Sequence, residues 1–501
     1  MKRAGGILLH PTSLPGAFGS GDLGAEAYRF VDWLADAGQT RWQILPMGEV
    51  GPGNSPYMSS SAFAGNTLLI DLADLVMHGW LTAADLLPAA SFDNSRVDYE
   101  QVRPFRMACL RRAARRFFAD SPSADKHAGL FSSYENFCQT ESDWLGDYAL
   151  FMTLCEREQG SGWSAWPPAL ARREPQALAQ AAREHAEDIN FWKFCQWCFA
   201  RQWQALKDYA NARGIRIIGD VPIFVAWQSA DVWAHQELFD LDEHGRPSMV
   251  AGVPPDYFSE TGQLWGNPLY RWENHAATDY AWWLARLRQA LRHADQVRID
   301  HFRGFAAYWE IPADALTAVS GQWAPGPGAP FFSAVEQALS GLPIIAEDLG
   351  LITPDVVELR DRFHLPGMRV LQFAFGDNET NPFLPRNYIA NTVAYTGTHD
   401  NDTTVGWWHT ASPHVQDFVR HYLGTDGSDI QWVMMRALSS SVADTVVFPM
   451  QDVLGLGSEH RMNFPGKPDG NWEWRFCWEQ TQPEQTGKLA EMTAQNGRAT
   501  A

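Results

Sequence analysis

Short apolar runs recur along the chain, each closed by a Gly, Pro or polar residue, with helix-forming stretches between them. Eight of them, at 6–9, 42–45, 216–219, 296–299, 343–346, 368–373, 392–395 and 445–448, are rich in Ile, Val or Leu. Unalternated runs of this length suit strands covered on both faces, and helical crossovers between parallel strands supply such cover. Eight of them predict an α/β fold, a (β/α)8 TIM barrel.

Their spacing is uneven. A plain barrel needs about 250 residues, so a single catalytic domain over 1–501 has room for two insertions. Residues 81–208, between the second and third runs, hold helix-forming segments at 103–118 and 175–186 and predict a mainly helical insertion. Residues 221–295, between the third and fourth, predict a loop-rich insertion, with the 252–258 loop on the strand-exit face where it would cover a site. The Gly/Pro-rich stretch 320–328 reads as a turn-rich connection and lacks the Gly-Lys-Ser/Thr ending of a phosphate loop. After the eighth run too few residues remain for a C-terminal β-sandwich domain, which needs about 100, so none is expected. Apolar positions thin out after Cys477, and a loosely held tail is predicted there.

Charge narrows the possible partners. Against 39 Lys+Arg stand 59 Asp+Glu, a net charge of −20 whose field disfavours nucleic acid and acidic membrane surfaces. Aromatic residues reach 13%, with 23 Trp against 13 Tyr; flat rings of this kind suit a neutral, hydroxyl-rich ligand with one apolar face, and equally a Trp-rich core. The six cysteines are too sparse for a disulfide scaffold. Cys195 and Cys198 fall with Phe191, Phe194 and Phe199 on one helical stripe, which favours a buried face over zinc or redox chemistry. The apolar stretch at 4–9 is too short for a signal peptide, and no run approaches the 18 or so residues of a membrane span. A cytoplasmic protein is expected.

In barrel enzymes the chemistry sits where strands exit, and four exits here carry carboxylates: Asp220, Asp300, Glu347-Asp348 and His399-Asp400. One acid after a strand is commonly a helix cap, but several around one mouth repel each other unless function or a metal requires them. Arg298 and Asp300 are two apart on one strand and share a face, so the guanidinium keeps the carboxylate ionised as a nucleophile must be. Glu347, one strand over, is then the acid for a leaving oxygen. Such a pair, about 5–5.5 Å apart, performs retaining glycoside chemistry. The competing reading is a divalent-metal site of Asp220, Asp300, Glu347 and Asp400; Arg298 beside Asp300 argues against it, and no metal or cofactor is expected.

These residues lie in motifs that together resemble one family: His10-Pro11-Thr12-Ser13-Leu14-Pro15-Gly16, Gly21-Asp22-Leu23-Gly24, Trp42-Gln43-Ile44-Leu45-Pro46, Ser55-Pro56-Tyr57, Asp220-Val221-Pro222-Ile223, Arg298-Ile299-Asp300-His301-Phe302-Arg303-Gly304, Ala346-Glu347-Asp348-Leu349-Gly350, Thr398-His399-Asp400-Asn401-Asp402-Thr403 and Arg461-Met462-Asn463. The chain resembles the 4-alpha-glucanotransferases (amylomaltases, disproportionating enzymes) of glycoside hydrolase family 77, a branch of the alpha-amylase clan. The resemblance runs from Pro11 to about Arg475.

It implies Asp300 as nucleophile, Glu347 as general acid/base and Asp400 as the carboxylate that grips the distorted sugar. Arg298 and His399 would hold the donor glucose, Asp220 takes the clan's first acidic position, and Tyr57 stacks under the donor sugar. Asp256, Tyr257, Phe258, Gln263 and Trp265 correspond to the loop over the acceptor subsites, Phe373 lies near the same groove, and Asn463 joins the substrate-binding set. The segment after Asp220 lacks the Asn-His ending that alpha-amylases use near a structural calcium. The implied reaction moves α-1,4-glucan segments from maltooligosaccharide donors to the 4-hydroxyl of glucose or a glucan. A true α-glucan hydrolase and a noncatalytic glucan-binding barrel are the alternatives.

Overall fold

The computed structural model describes residues 3–87, 91–119, 128–255, 259–376 and 378–499. Eight strands form the centre: β1 (Ala4–Leu8), β2 (Arg41–Gln43), β3 (Arg216–Pro222), β6 (Gln296–Asp300), β9 (Ile344–Ala346), β10 (Gly367–Val370), β11 (Thr392–Tyr395) and β12 (Thr445–Pro449). They close into an all-parallel barrel in the order β1-β12-β11-β10-β9-β6-β3-β2. Each is the run expected from the sequence, shifted at most two residues at its start. The sixth stops at Val370 because Leu371–Phe373 turns into a short 3-10 helix.

Residues between β2 and β3 are mainly helical. The long helix Ala186–Ala212 packs on Ser142–Arg157 and Tyr99–Ala119 and then feeds β3. Its apolar stripe buries Phe191, Phe194, Cys195, Cys198 and Phe199, so the Cys-x-x-Cys pair is core, with both thiols free and pushed up by burial. Trp42 shows how insertion and barrel share one interior: it is fully buried beside Trp203, and its indole N–H donates to Leu9 O at 2.8 Å. A large buried apolar side chain stabilises by about 1.5–3 kcal/mol, and most of the 23 Trp contribute in this way.

The segment read as loop-rich carries more order than expected. β4 (Met249–Val253) and β5 (Gln263–Pro268) pair antiparallel, and β7 (Ala307–Pro312) and β8 (Gln322–Pro325), which follow β6, extend them into a sheet ordered β5-β4-β7-β8. β8 lies within the stretch read as a turn-rich connection. β5 and β8 escape an apolar-run criterion because they are largely exposed and carry Gly or Pro, whereas β4 is a short apolar run that the reading did not take up. The tail also differs from expectation: Pro483–Gln495 is a helix that buries Leu489 and Met492, and Arg498 beyond it is buried against the carbonyls of Ser439 and Ala4. Three inward positions suffice to dock it. Among the described residues no helix is long and apolar enough to cross a membrane.

Candidate active site

Strand register decides which exits meet. Asp220 on β3 pairs directly with Arg298 on β6, and Asp300 stands two residues further on. Arg298 uses that placement fully: Nη1 donates to both oxygens of Asp220, at 2.8 and 2.7 Å, and Nη2 to Asp300 Oδ1 at 2.7 Å. Its Nε faces Met368 Sδ at 3.4 Å. Burial opposes the charge on Arg298, but Asp220 and Asp300 outweigh it and hold the guanidinium protonated.

Glu347 follows β9, one residue past the Ile299–Ala346 register pair, and so stands level with Asp300 on the neighbouring strand. Parallel strands lie about 4.8 Å apart, a spacing that suits two carboxyl groups working on one bond. Backbone N–H groups fix the Glu347 carboxyl, His301 on Oε2 at 2.7 Å and Leu349 on Oε1 at 2.8 Å. Burial, seconded by the charge of Asp300, pushes Glu347 up to about 7 against the pull of Arg298. A carboxyl in that range is protonated enough near neutrality to act as an acid.

The third carboxylate behaves oppositely. Asp400 accepts from Asn463 Nδ2 at 2.7 Å and lies 3.3 Å from His399 Nε2. Burial alone would raise it, but the His399 charge and these hydrogen bonds hold it well below the usual carboxylate range. His399 is correspondingly raised: burial disfavours its charge and Asp400 restores it. Tyr57 closes the ring of contacts, donating to Asp220 Oδ2 at 2.7 Å and lying 3.0 Å from His399 Nε2. With the phenol proton committed to Asp220, His399 is the donor in the second contact. The Tyr57 and His399 rings stack at 5.3 Å, and Trp472 leans on both at 5.7 Å.

Of the expected residues, Tyr57, Asp220, Arg298, Asp300, His399, Asp400 and Asn463 form one bonded network, with Glu347 beside it. Trp265 reaches this centre through His301, whose ring it meets edge-on at 4.8 Å, and its indole N–H donates to Gln263 Oε1 at 3.1 Å. Phe373 packs edge-on against Phe383 at 5.7 Å, outside the carboxylate network. Asp256, Tyr257 and Phe258 lie outside the described residues. Sequence reasoning gave no role to Trp472, His301 or Asp348, although the last two lie within the quoted motifs. The last is buried beside Glu347 and accepts from Arg360 Nη1 at 2.5 Å and from the Met368 amide at 2.7 Å, tying the end of β9 to β10. Its position beside a strand-exit acid was a usable signal; Trp472 carried none. Among the described residues no three His, Cys, Asp or Glu side chains are arranged to hold a metal ion, and Arg298 fills the space between Asp220 and Asp300.

The family model of glycoside hydrolase family 77, 4-alpha-glucanotransferase, matches residues 9–480. The 4-alpha-glucanotransferase of Thermus thermophilus is 51% identical over 500 residues, covering 98% of both chains. That of Synechocystis is 51% identical over 501 residues, covering 99% of this chain and 98% of its own. Among solved structures, the amylomaltase of Streptococcus agalactiae in complex with acarbose superposes with a TM-score of 0.95 at 39% identity, covering all of both chains. The chain belongs to glycoside hydrolase family 77, the 4-alpha-glucanotransferases.

Proposed function

We propose that this chain disproportionates maltooligosaccharides by a double displacement in which Asp300 is the nucleophile, Glu347 the general acid and base, and Asp400 the carboxylate that steadies the strained sugar. The observation that carries the assignment is the divergence of the three carboxyl environments. Asp300 accepts a hydrogen bond from the Arg298 guanidinium at 2.7 Å, Glu347 is lifted by burial to about 7, and Asp400 is held ionised by His399 and Asn463.

In the first step Asp300 attacks the anomeric carbon while Glu347 gives its proton to the α-1,4 oxygen, breaking the C–O bond and leaving a covalent glucanosyl ester. Glu347, now ionised, takes the proton from the incoming 4-hydroxyl of an acceptor glucan. The new C–O bond displaces Asp300, and two inversions restore the α configuration. Tyr57, Asp220, Arg298, His399 and Asn463 bind the donor sugar in this reading. Gln263 and Trp265 face the acceptor, with Asp256, Tyr257, Phe258 and Phe373 assigned to the same groove on sequence grounds. The binding of acarbose by the Streptococcus agalactiae amylomaltase supports an α-glucan-shaped cleft in this relative too. The six free cysteines support a cytoplasmic setting.

Incubation with maltotriose tests the whole reading. Glucose and longer glucans at a constant number of reducing ends are expected; a rise in reducing ends equal to the bonds cleaved would make the chain a hydrolase. A fluorinated glucosyl donor is expected to leave a sugar mass on the peptide containing Asp300, and labelling elsewhere would remove the nucleophile assignment.

A further inference from the structure

His301 follows the proposed nucleophile and has a backbone that few side chains adopt, φ 55° and ψ 47°. Histidine enters this left-handed region at a cost, and such residues concentrate where a site needs a group aimed in one direction. Two amides meet Glu347 here. The His301 N–H donates to Glu347 Oε2 at 2.7 Å, and the next amide, of Phe302, donates to the Glu347 carbonyl at 3.2 Å. The left-handed turn sets the direction of the second of these, while the first belongs to the residue that carries the ring.

The side chain of the same residue points to the other partner in the reaction. Its ring meets the Trp265 indole edge-on at 4.8 Å and 83°. Gly304 leaves room for the ring, since a Cβ there would stand 3.3 Å from His301 Cδ2 and 2.7 Å from Ile223 Cδ1. Nε2 is buried without a hydrogen-bond partner, so packing and not polar bonding holds the ring. Burial lowers its pKa to about 4 despite Asp300 and with the help of Arg303, so the ring is neutral at working pH. One residue therefore touches both the carboxyl that must move a proton and the aromatic strand assigned to the acceptor.

We infer that His301 is a positioning residue that couples acceptor seating to the acid/base: Trp265 packed on its ring holds residue 301 in place, and with it the amide that donates to Glu347. The inference rests on Glu347 being the general acid and base. An acceptor sugar settled against Trp265 firms the hydrogen bond that orients the carboxyl, and a water molecule, too small to load Trp265, does not. Sugar is thereby favoured over water at the moment the ester is released.

The test uses the full-length enzyme with maltotriose, scoring reducing ends gained per glucose transferred. His301→Gly keeps the amide and the left-handed turn but removes the ring, and His301→Asn keeps a side chain that tolerates the turn. Both are expected to raise the hydrolysis-to-transfer ratio by about tenfold, the scale of a small misplacement of a reacting group. Trp265→Ala is expected to act in the same direction, and the double variant His301→Gly/Trp265→Ala no further than the stronger single one, because the two act through one contact. The basic limb of kcat/KM, which reports Glu347, should also move to lower pH in His301→Gly as water reaches a carboxyl that now faces only Asp300, Arg298 and the two amides. A residue that merely packs would shift that limb as well, but its effect on the ratio would multiply with that of Trp265→Ala. Unchanged ratios in both single variants, or factors that multiply in the double variant, overturn the coupling. Failure of the underlying reading has a different signature: Glu347→Gln would then retain near wild-type activity.

Discussion

The two halves of the cleft are built differently. On the donor side Asp220, Arg298 and His399 are no more than 7% exposed, and each polar tip is tied to another by a charged hydrogen bond. On the acceptor side Gln263 is exposed, Leu264 is 40% exposed and Trp265 is half-buried, all on β5 at the edge of a small antiparallel sheet. On the assignment proposed above, the donor half handles the same anomeric carbon in every turnover and gains from being fixed before substrate arrives. Acceptors differ in length, and an exposed, sparsely bonded surface suits them. Order is concentrated where the chemistry is constant.

That contrast predicts a steep gradient in mutational effect. Asp300→Asn is expected to lower kcat by about 10⁴-fold or more, as removal of a nucleophile does, and Glu347→Gln by about 10²–10⁴-fold, read as glucose release from maltotriose. The pH profile follows with a definite sign. Glu347 must carry a proton to act as acid, so kcat/KM should fall as pH rises past about 7. Glu347→Gln should abolish that limb. A flat profile would mean that another group donates the proton.

Arg298 comes next, because the donor half is organised around it. Arg298→Met leaves the buried Asp220 and the partly exposed Asp300 without their cation, and the uncompensated charge at Asp220 should cost about 3–5 kcal/mol of folding stability, measured by urea unfolding. Arg298→Lys keeps the charge but not the fork that serves two carboxylates, and should lose activity while recovering part of the stability.

How much of this was legible follows the same division. The barrel was readable because each central strand is covered on both faces and must be an apolar run, as at Ile344–Ala346. The donor residues were readable because they follow those runs directly: Asp220, Asp300 and Glu347 are fixed by strand register before any loop is placed. The sheet holding Gln263 and Trp265 was not, since Gln-Leu-Trp-Gly-Asn-Pro has no period that distinguishes a half-exposed strand from a loop. His301 and Trp472 escaped for another reason. Their roles depend on a backbone conformation, φ 55° and φ 65°, that nothing in the identity of a His or Trp announces.

Tyr57 tests whether the donor half is one network or a set of independent contacts. Its hydroxyl joins Asp220 to His399, and hydrogen bonds to charged groups are worth about 1.5–3 kcal/mol each. Tyr57→Phe keeps the ring stacked on His399 and is expected to reduce kcat/KM by about 10–100-fold. Combined with His399→Asn it should lose less than the product of the two, because both act on the same bridge. Full multiplicativity would show that the hydroxyl serves Asp220 alone.

The smallest effect belongs to Gln263, and it is the one that most sharpens the comparison. Gln263 accepts from the Trp265 indole at 3.1 Å from an exposed position. A solvent-accessible hydrogen bond contributes about 0.5–1.5 kcal/mol, so Gln263→Ala should weaken acceptor binding only severalfold. The effect should appear in the KM for added glucose or maltose acceptor, with kcat and the donor KM nearly unchanged, because among the described residues no hydrogen bond joins the donor network to Gln263 or Trp265. A fall in kcat as large as that of Tyr57→Phe would mean that the acceptor strand is as rigidly tied to the chemistry as the donor side. The adaptable surface would then have to be sought outside β5.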